Sequence, residues 1–217
     1  KQASHVFRQP IGEMLTAAAS PDGKTLATAG QDWIVRLWDM ETDKEIASLQ
    51  GHAHSINEVH YSHDGHWLAS ASEDQSLILW EMPSGRRRHR LTGHVGEVLS
   101  ASFSPDDRRV VTSGTDGGIR IWDVESGSLI LSARARARYL YRVRYSTDGR
   151  QIATSGKEHP IDLYDASTGE FVRGLGAGIP VMTCLEYSTD GAYLISGHED
   201  GQVRVWETRK GMLAASV

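Results

Sequence analysis

The stretch from Gly51 to Thr92, GHAHSINEVHYSHDGHWLASASEDQSLILWEMPSGRRRHRLT, contains the unit that the rest of the chain repeats. Its Trp80 has counterparts at a constant step of 42 residues, namely Trp38, Trp122, Tyr164 and Trp206. The turn pair Asp64-Gly65 recurs at the same step, as Asp22-Gly23, Asp106-Asp107, Asp148-Gly149 and Asp190-Gly191. A repeat of this period indicates a solenoid, a propeller or an array. Five copies fill most of the chain, at about residues 9–50, 51–92, 93–134, 135–176 and 177–217.

Each copy predicts four short strands. In the second copy, residues 56–61 alternate apolar and polar side chains, which is the period of a half-buried strand. The Asp64-Gly65 turn, a strand at 67–71, a strand at 76–80 and a more polar strand at 86–91 follow. A four-stranded sheet of this size has two apolar faces and must stack on neighbours like itself. The sequence therefore predicts an all-β chain whose four-stranded antiparallel blades form a β-propeller.

The composition is that of a globular protein, with 39% hydrophobic and 24% charged residues and a formal net charge of −5. No apolar run reaches the roughly 20 residues that span a bilayer, so we expect no membrane partner. The mild acidity disfavours nucleic acid as a partner. Cys184 is the only cysteine, which favours a cytoplasmic location over secretion.

Several markers at fixed offsets resemble the WD repeat family. In the second copy they are Gly51-His52, Asp64-Gly65, Ser70, Asp74 and Trp80-Glu81, and in the third they are Gly93-His94, Asp106, Thr112, Asp116 and Trp122-Asp123. In that family the His, the Ser or Thr, the turn Asp and the Trp of a blade form a buried hydrogen-bond chain, called the clamp below. The resemblance implies complete clamps at His52, Ser70, Asp74 and Trp80 and at His94, Thr112, Asp116 and Trp122. It implies partial clamps at Thr28, Asp32 and Trp38 and at Ser196, Asp200 and Trp206.

The fourth copy departs most from this pattern. Arg136 stands at the His position, Glu158 at the Asp position and Tyr164 at the Trp position, and only Thr154 matches. We expect an Arg136–Glu158 ion pair to replace the His–Asp bond, with the Tyr164 hydroxyl replacing the indole. Pro10 and Gly178 stand at the His position of the first and fifth copies. In the third copy, Asp107 replaces the turn glycine and should strain or alter the hairpin.

Both ends of the chain read as a fourth, outer strand, the first within residues 1–8. Rings of the family commonly contain seven or more blades. Three alternatives stay open: the chain is part of a longer propeller, two chains share one ring as a homodimer, or five blades close by themselves.

The family's partner-facing positions flank the start of the inner strand and precede the clamp Asp. The segment 134–142, rich in Arg and Tyr, stands out among them, because these residue types dominate binding hot spots. The candidates for partner binding are Leu15, Gln31, Asn57, Glu73, Leu99, Arg138, Tyr139, Tyr141, Lys157, Val181 and Glu199. An acidic or phosphorylated peptide with apolar neighbours would suit the fourth blade.

Two other clusters favour plainer interpretations. Five of the six histidines of the second copy, His52, His54, His60, His63 and His66, are crowded together, but strand alternation scatters them, so we expect no metal and no cofactor. The run Arg86-Arg87-Arg88-His89-Arg90 lies on an outer strand, where exposed charge blocks edge pairing.

The sequence predicts a non-catalytic scaffold that docks a protein or peptide on the loop face of the propeller. A Ser-His-Asp set can indicate hydrolysis, but a nucleophile is needed once, whereas this set recurs in two blades. Two alternatives remain: the sensor or targeting arm of a larger multidomain protein, and a propeller hydrolase with axial carboxylates such as Glu13, Glu58, Glu97 or Glu186.

Overall fold

The computed structural model describes residues 12–157, 159–176 and 182–217, with only the backbone of Met182 and Thr183. Within these residues the chain is all-β and forms five sheets of four antiparallel strands each. The predicted fold class and the four-stranded blade are therefore confirmed. None of the described residues belongs to a helix that is long and apolar enough to cross a membrane. The predicted outer strand within 1–8 and the residues Pro10, Glu158, Gly178 and Val181 lie outside the described residues.

The chain divides into two compact units, and the first, residues 1–98, holds blades one and two. Blade one consists of β1 (Met14–Ala19), β2 (Thr25–Gly30), β3 (Ile34–Asp39) and β4 (Glu45–Gln50). Blade two consists of β5 (Ile56–Tyr61), β6 (Trp67–Ser72), β7 (Ser76–Glu81) and β8 (Arg86–Thr92). In each blade the strands pair in sequence order, so that the first is the inner strand and the fourth the outer one.

The second unit, residues 99–217, holds blades three to five. Blade three consists of β9 (Val98–Phe103), β10 (Arg109–Gly114), β11 (Gly118–Asp123) and β12 (Leu129–Arg134). Blade four consists of β13 (Leu140–Tyr145), β14 (Gln151–Gly156), β15 (His159–Asp165) and β16 (Phe171–Leu175). Blade five consists of β17 (Met182–Tyr187), β18 (Tyr193–His198), β19 (Val203–Glu207) and β20 (Met212–Ser216).

Within each unit, apolar side chains fill the space between consecutive blades. In the first unit, Val35 and Leu37 of blade one pack in one cluster with Ile56, Val59 and Leu68 of blade two. In the second unit, one cluster joins blades three and four and another joins blades four and five. Because the sheets within a unit bury apolar residues against their neighbours, the core of each unit lies in layers between its blades rather than in one central mass.

The hairpin between the first two strands of each blade is held by a Ser and an Asp. In blade three the Ser104 hydroxyl donates to Asp106 Oδ1 at 2.6 Å, and the Arg108 amide donates to the same oxygen at 3.2 Å. The bond from Ser104 holds the pKa of Asp106 below its ordinary value. Asp107 adopts a positive φ of 56°, and its amide still donates to the Ser104 carbonyl at 2.9 Å. The expected strain or alteration of the hairpin takes the form of this left-handed backbone, which aspartate adopts more readily than most residues, while the turn keeps its hydrogen bond.

Asp107→Gly should stabilise the protein by about 1 kcal/mol, because glycine adopts this left-handed conformation without a Cβ penalty. Chemical denaturation would show a higher unfolding midpoint for the variant. Asp106→Gly is the matched control one residue away. It should lower the midpoint, because it removes the acceptor of two hydrogen bonds. Equal midpoints for Asp107→Gly and the unsubstituted protein would contradict the assignment of strain to this residue.

Candidate functional site

Blade two contains the complete clamp that the sequence predicts. The imidazole of His52 lies 2.8 Å from Asp74 Oδ2 through Nδ1 and 2.7 Å from the Ser70 hydroxyl through Nε2. The indole of Trp80 donates to that same hydroxyl at 2.9 Å. The chain of bonds ties the segment before β5 to β6, β7 and the turn between them. Every polar group in this buried row has a partner, so the row is a structural device.

Asp74 is the most heavily bonded member of this clamp. It accepts hydrogen bonds from the Ala53 amide at 2.9 Å and the Ser76 hydroxyl at 2.5 Å, and from Arg90 Nη2 at 2.6 Å. Burial acts to raise the pKa of Asp74, but the bonds from His52 and Ser76 outweigh it and hold the pKa well below its ordinary value. Arg90 belongs to the basic outer strand. The basic residues of that strand therefore do more than block edge pairing, since Arg90 pairs with Asp74 of the clamp.

Three further blades keep the bond between the indole and the hydroxyl. The indole N–H donates at 2.8 Å from Trp38 to Thr28, at 3.0 Å from Trp122 to Thr112 and at 2.9 Å from Trp206 to Ser196. In each of these blades an arginine four residues after the clamp Asp pairs with it: Arg36 with Asp32, Arg120 with Asp116 and Arg204 with Asp200. His94 is buried in blade three, as predicted for a clamp residue.

Blade five recruits a histidine from a position that the sequence reasoning missed. His198 Nε2 lies 2.8 Å from the Ser196 hydroxyl, and the side chain is buried. The two residues are two apart on β18 and therefore share a face of the sheet. The other copies have Gly30, Ser72, Gly114 and Gly156 at this position. The presence of a large residue where the four other copies have Gly or Ser was the sequence signal that could have identified His198.

Blade four forms a different arrangement. The Tyr164 hydroxyl accepts from the Arg136 amide at 2.9 Å and lies 3.4 Å from Asp162 Oδ2, whereas the Thr154 hydroxyl donates to the Asp162 carbonyl at 3.3 Å. The tyrosine therefore bonds elsewhere than the indole it replaces. The Arg136 guanidinium lies 3.6 Å from Asp162 Oδ1 and 4.3 Å from the centre of the Phe171 ring. Its expected partner, Glu158, lies outside the described residues.

Asp162 occupies the position at which blades one, three and five have their arginine. Its side chain is only 2% exposed, and its Oδ1 forms no hydrogen bond within the described part of the chain. Burial raises the pKa of Asp162, although the nearby Arg136 and His159 oppose the rise. Two carboxylates of the clamp region thus have opposite electrostatics: the fold stabilises the ionised form of Asp74 and disfavours that of Asp162.

Asp74→Asn should lower the free energy of unfolding at neutral pH by about 3 kcal/mol, because it removes one side of a buried charged network. Since the folded pKa of Asp74 is depressed, its contribution is present above about pH 4 and is lost as the pH falls through that folded pKa. Denaturation curves at several pH values would measure both effects. The control Asp200→Asn should cost clearly less, because the Asp200 side chain is 29% exposed. Similar losses of stability for Asp74→Asn and Asp200→Asn would contradict the larger contribution of the buried Asp74 network.

Asp162→Asn should not lower the free energy of unfolding at neutral pH, in contrast to Asp74→Asn. A raised folded pKa means that ionised Asp162 costs stability, and this cost appears as the pH rises above the ordinary carboxyl value of 3.8. We therefore expect the variant to be at least as stable as the unsubstituted protein at neutral pH, with the difference vanishing in acid. A loss comparable to that of Asp74→Asn would show that the pair with Arg136 outweighs the burial of the charge.

The loop end of a blade is the end at which its second and third strands are joined and the chain enters the inner strand. There the residue before the inner strand accepts a backbone hydrogen bond from the residue before the clamp Asp. The bonds run from Gln31 to Glu13 at 3.0 Å, from Glu73 to Ser55 at 3.0 Å and from Lys157 to Tyr139 at 3.1 Å. The predicted partner-facing positions of these three blades are therefore brought together in pairs.

A β-bulge lies at the start of four inner strands. The register between the first and second strands shifts at Leu15, Asn57, Tyr141 and Thr183, one residue in each of blades one, two, four and five. A bulge leaves one residue outside the ladder and changes the direction of its side chain. Three of these residues are predicted partner positions, and Thr183 is the equivalent residue of blade five. The bulge is therefore the reason why the residue at this position lies outside the hydrogen-bond ladder, unlike the rest of the strand.

Exposure separates these positions. Leu15 and Tyr139 are 45% and 44% exposed, and Gln31, Arg138, Lys157 and Glu199 are exposed as well. Asn57, Glu73, Leu99 and Tyr141 are half-buried. Val181 lies outside the described residues.

Trp33 is the loop-end residue that the sequence reasoning missed. It is 47% exposed, has a positive φ of 68°, and its ring centre lies 5.8 Å from that of His54. A large non-glycine residue in the left-handed region is uncommon and indicates a constraint other than local preference. Its counterparts are Gln75, Gly117, His159 and Gly201. An indole at a turn position that varies between copies was the signal.

Two of the carboxylates considered for catalysis lie in surroundings that do not mark a catalytic pair. Glu186 accepts a hydrogen bond from Arg144 Nε at 2.9 Å, and Glu58 is buried within β5. Within residues 12–157, 159–176 and 182–217, no three His, Cys, Asp or Glu side chains are placed to hold a metal ion.

Comparison with known proteins identifies the repeat. The family model described as "WD domain, G-beta repeat" matches residues 5–39, 43–81, 85–123 and 172–207. An uncharacterized WD repeat-containing protein of Nostoc sp. is 44% identical over 55 residues, which are 25% of this chain and 4% of that protein. The general transcriptional corepressor TUP1 of Saccharomyces cerevisiae is 48% identical over 42 residues, 19% of this chain and 6% of that protein. The matched stretches thus span a small part of these relatives.

Proposed function

Because this chain belongs to the WD domain, G-beta repeat family, we propose that it is a non-catalytic platform that docks a protein or peptide at the loop end of its blades. Proteins of this family generally act as scaffolds. The observation that carries the proposal is the set of exposed apolar and aromatic side chains at the loop end, which a folded protein would otherwise bury.

In the first unit these side chains form the blade-one patch, defined as Met14, Leu15 and Trp33. They are 37%, 45% and 47% exposed. Tryptophan dominates binding hot spots because it offers a large contact area with little conformational entropy to lose. The left-handed backbone of Trp33 also fixes the direction of its side chain. This patch fits an apolar side chain of a partner.

In the second unit the blade-four patch consists of Arg138, Tyr139 and Lys157. Tyr139 is 44% exposed, and the exposed Arg138 and Lys157 side chains form no ion pair within the described part of the chain. An aromatic ring between two cations fits a peptide that carries an acidic or phosphorylated residue beside an apolar one.

A second candidate function is that of a sensor or targeting arm within a larger protein. The matched stretches of 55 and 42 residues make up only 4% and 6% of the relatives that contain them. In those relatives the matched stretch is therefore a small part of a long chain. A sensor or targeting arm would use the same docking surface, but it would be part of a larger protein with other domains.

Trp33→Ala should remove partners of the blade-one patch, because truncating a hot-spot residue costs about 2 kcal/mol or more, or roughly thirtyfold in affinity. Affinity capture with quantitative mass spectrometry would compare the variant with the unsubstituted protein. Ile46→Ala is the matched control, since Ile46 is 56% exposed in the same unit but lies on the outer strand β4.

Partners lost with Trp33→Ala and retained with Ile46→Ala would support the proposal. An identical set of partners for all three proteins would contradict docking on the blade-one patch. Arg138→Gln provides the corresponding test of the blade-four patch, and unchanged partners there would contradict its role.

A further inference from the structure

A cleft of about 950 Å³ lies between blades four and five, at the end of these blades opposite to the loop end. Its walls are the turns that follow β13, β17 and β19, together with the outer strand β16. This volume is at the upper end of the roughly 300–1,000 Å³ that is typical of ligand sites. We propose that this hairpin cleft binds an acidic peptide segment in an extended conformation.

Two buried hydrogen-bond donors in the cleft have no acceptor. Neither Arg173 Nε nor the Tyr187 hydroxyl oxygen, both shielded from solvent, has a hydrogen-bond partner among the described residues. Arg173 is held in place by another of its nitrogens, since Nη1 donates to the Arg209 carbonyl at 3.0 Å. Buried donors without acceptors are costly, and an acceptor group that enters the cleft would remove this cost. A carboxylate can accept from both.

The Tyr187 hydroxyl is a donor at neutral pH. Burial raises the pKa of Tyr187, the carboxylate of Asp148 raises it further, and the guanidinium of Arg173 opposes the rise. The hydroxyl therefore keeps its proton at neutral pH. It can donate this proton to a ligand but is not itself an anion that would repel one.

The charges that line the cleft favour an acidic ligand. Its three carboxylates are already bonded: Asp148 to the Ser146 hydroxyl and the Arg150 amide, Asp190 to the Ser188 hydroxyl and the Ala192 amide, and Glu207 to Lys210. The guanidinium groups of Arg150 and Arg209 also line the cleft, and they form no ion pair within the described residues. The four cations of the cleft outnumber its three carboxylates, and this excess favours a carboxylate ligand.

Exposed apolar groups lie in the same cleft. Val172 is 45% exposed and Tyr193 is 40% exposed. In an extended peptide successive side chains point to opposite sides, so acidic and apolar residues that alternate would meet both kinds of wall. The hairpin walls are also held closely together, because a Cβ at Gly191 would lie 2.0 Å from the Thr147 hydroxyl.

The first unit contains a natural comparison. A cleft of about 270 Å³ lies between blades one and two, and it is lined by Tyr61, the counterpart of Tyr187 in the repeat. The Tyr61 hydroxyl is likewise buried and without a partner in the described structure. That cleft is lined by Asp22 and Asp64, however, and by neither arginine nor lysine. The same tyrosine position therefore faces carboxylates without arginine or lysine in one cleft, and carboxylates outnumbered by arginine and lysine in the other. Of these two clefts, we predict that only the hairpin cleft accepts an acidic peptide.

The test uses the full chain and a fluorescein-labelled octapeptide of alternating glutamate and leucine, with the glutamine-for-glutamate peptide as the uncharged probe. Fluorescence anisotropy would measure affinity at two ionic strengths. We expect the acidic peptide to bind and the uncharged one to bind at least tenfold more weakly. Tyr187→Phe should weaken binding about tenfold, since a hydrogen bond to a charged acceptor is lost. Its unfolding midpoint should not fall, because the hydroxyl has no partner in the free protein.

Tyr61→Phe is the matched control and should leave the affinity unchanged. The double variant Arg150→Gln with Arg209→Gln should weaken binding and reduce its dependence on ionic strength. Equal affinity for both peptides, equal effects of Tyr61→Phe and Tyr187→Phe, or an unaffected double variant would each overturn the proposal. The blade-four patch could bind the same acidic peptide, but Tyr187→Phe and the double variant change only the end of the blades opposite to the loop end. Their effects on affinity therefore distinguish binding in the hairpin cleft from docking at the loop end.

Discussion

The bond from an indole N–H to a buried Ser or Thr hydroxyl is the interaction on which each regular blade depends. It spans 2.8 to 3.0 Å in blades one, two, three and five, and it joins the second strand of a blade to the third. Because a buried hydroxyl and a buried indole each need a partner, the bond places two polar groups inside an apolar layer without cost. It also fixes the register of these two strands, and hence which side chains meet the neighbouring blade.

The carboxylate beside this bond can be satisfied in more than one way. Blade two uses a histidine together with Arg90, whereas blades one, three and five use an arginine on the third strand. Blade four reverses the charge at that arginine position with Asp162 and compensates with Arg136. In blades one, two, three and five a cation lies near the turn acid, and the chain supplies it from different strands. A repeat can therefore lose its family histidine and keep its geometry.

This redundancy explains where sequence reasoning succeeded. The period of 42 residues and the alternation within each strand determine the blades, because both depend on the burial of apolar faces. The clamp of blade two was also predictable, since its members occur at fixed offsets. The contacts of His198, Tyr164 and the arginines of the third strand were not predictable. Each of these side chains has several possible partners, and only the folded blade decides which one lies within hydrogen-bond distance. Trp33 was missed for a related reason: the family pattern assigns no role to this position of the turn.

The five copies also serve as internal references for one another. A position that keeps its residue type in most copies, such as the clamp Trp, serves the frame that all blades share. A position that changes while its backbone does not, such as the bulge at Leu15, Asn57 and Tyr141, is free to vary because the frame does not depend on it. Binding surfaces can therefore differ from blade to blade at no cost to the fold. The tyrosine that ends the inner strand is a further case, because Tyr61 and Tyr187 keep the same residue and the same buried hydroxyl, while arginine and lysine line only the cleft of Tyr187. In this chain the specificity of a site thus resides in the neighbours that adjoining hairpins provide rather than in the repeated residue itself.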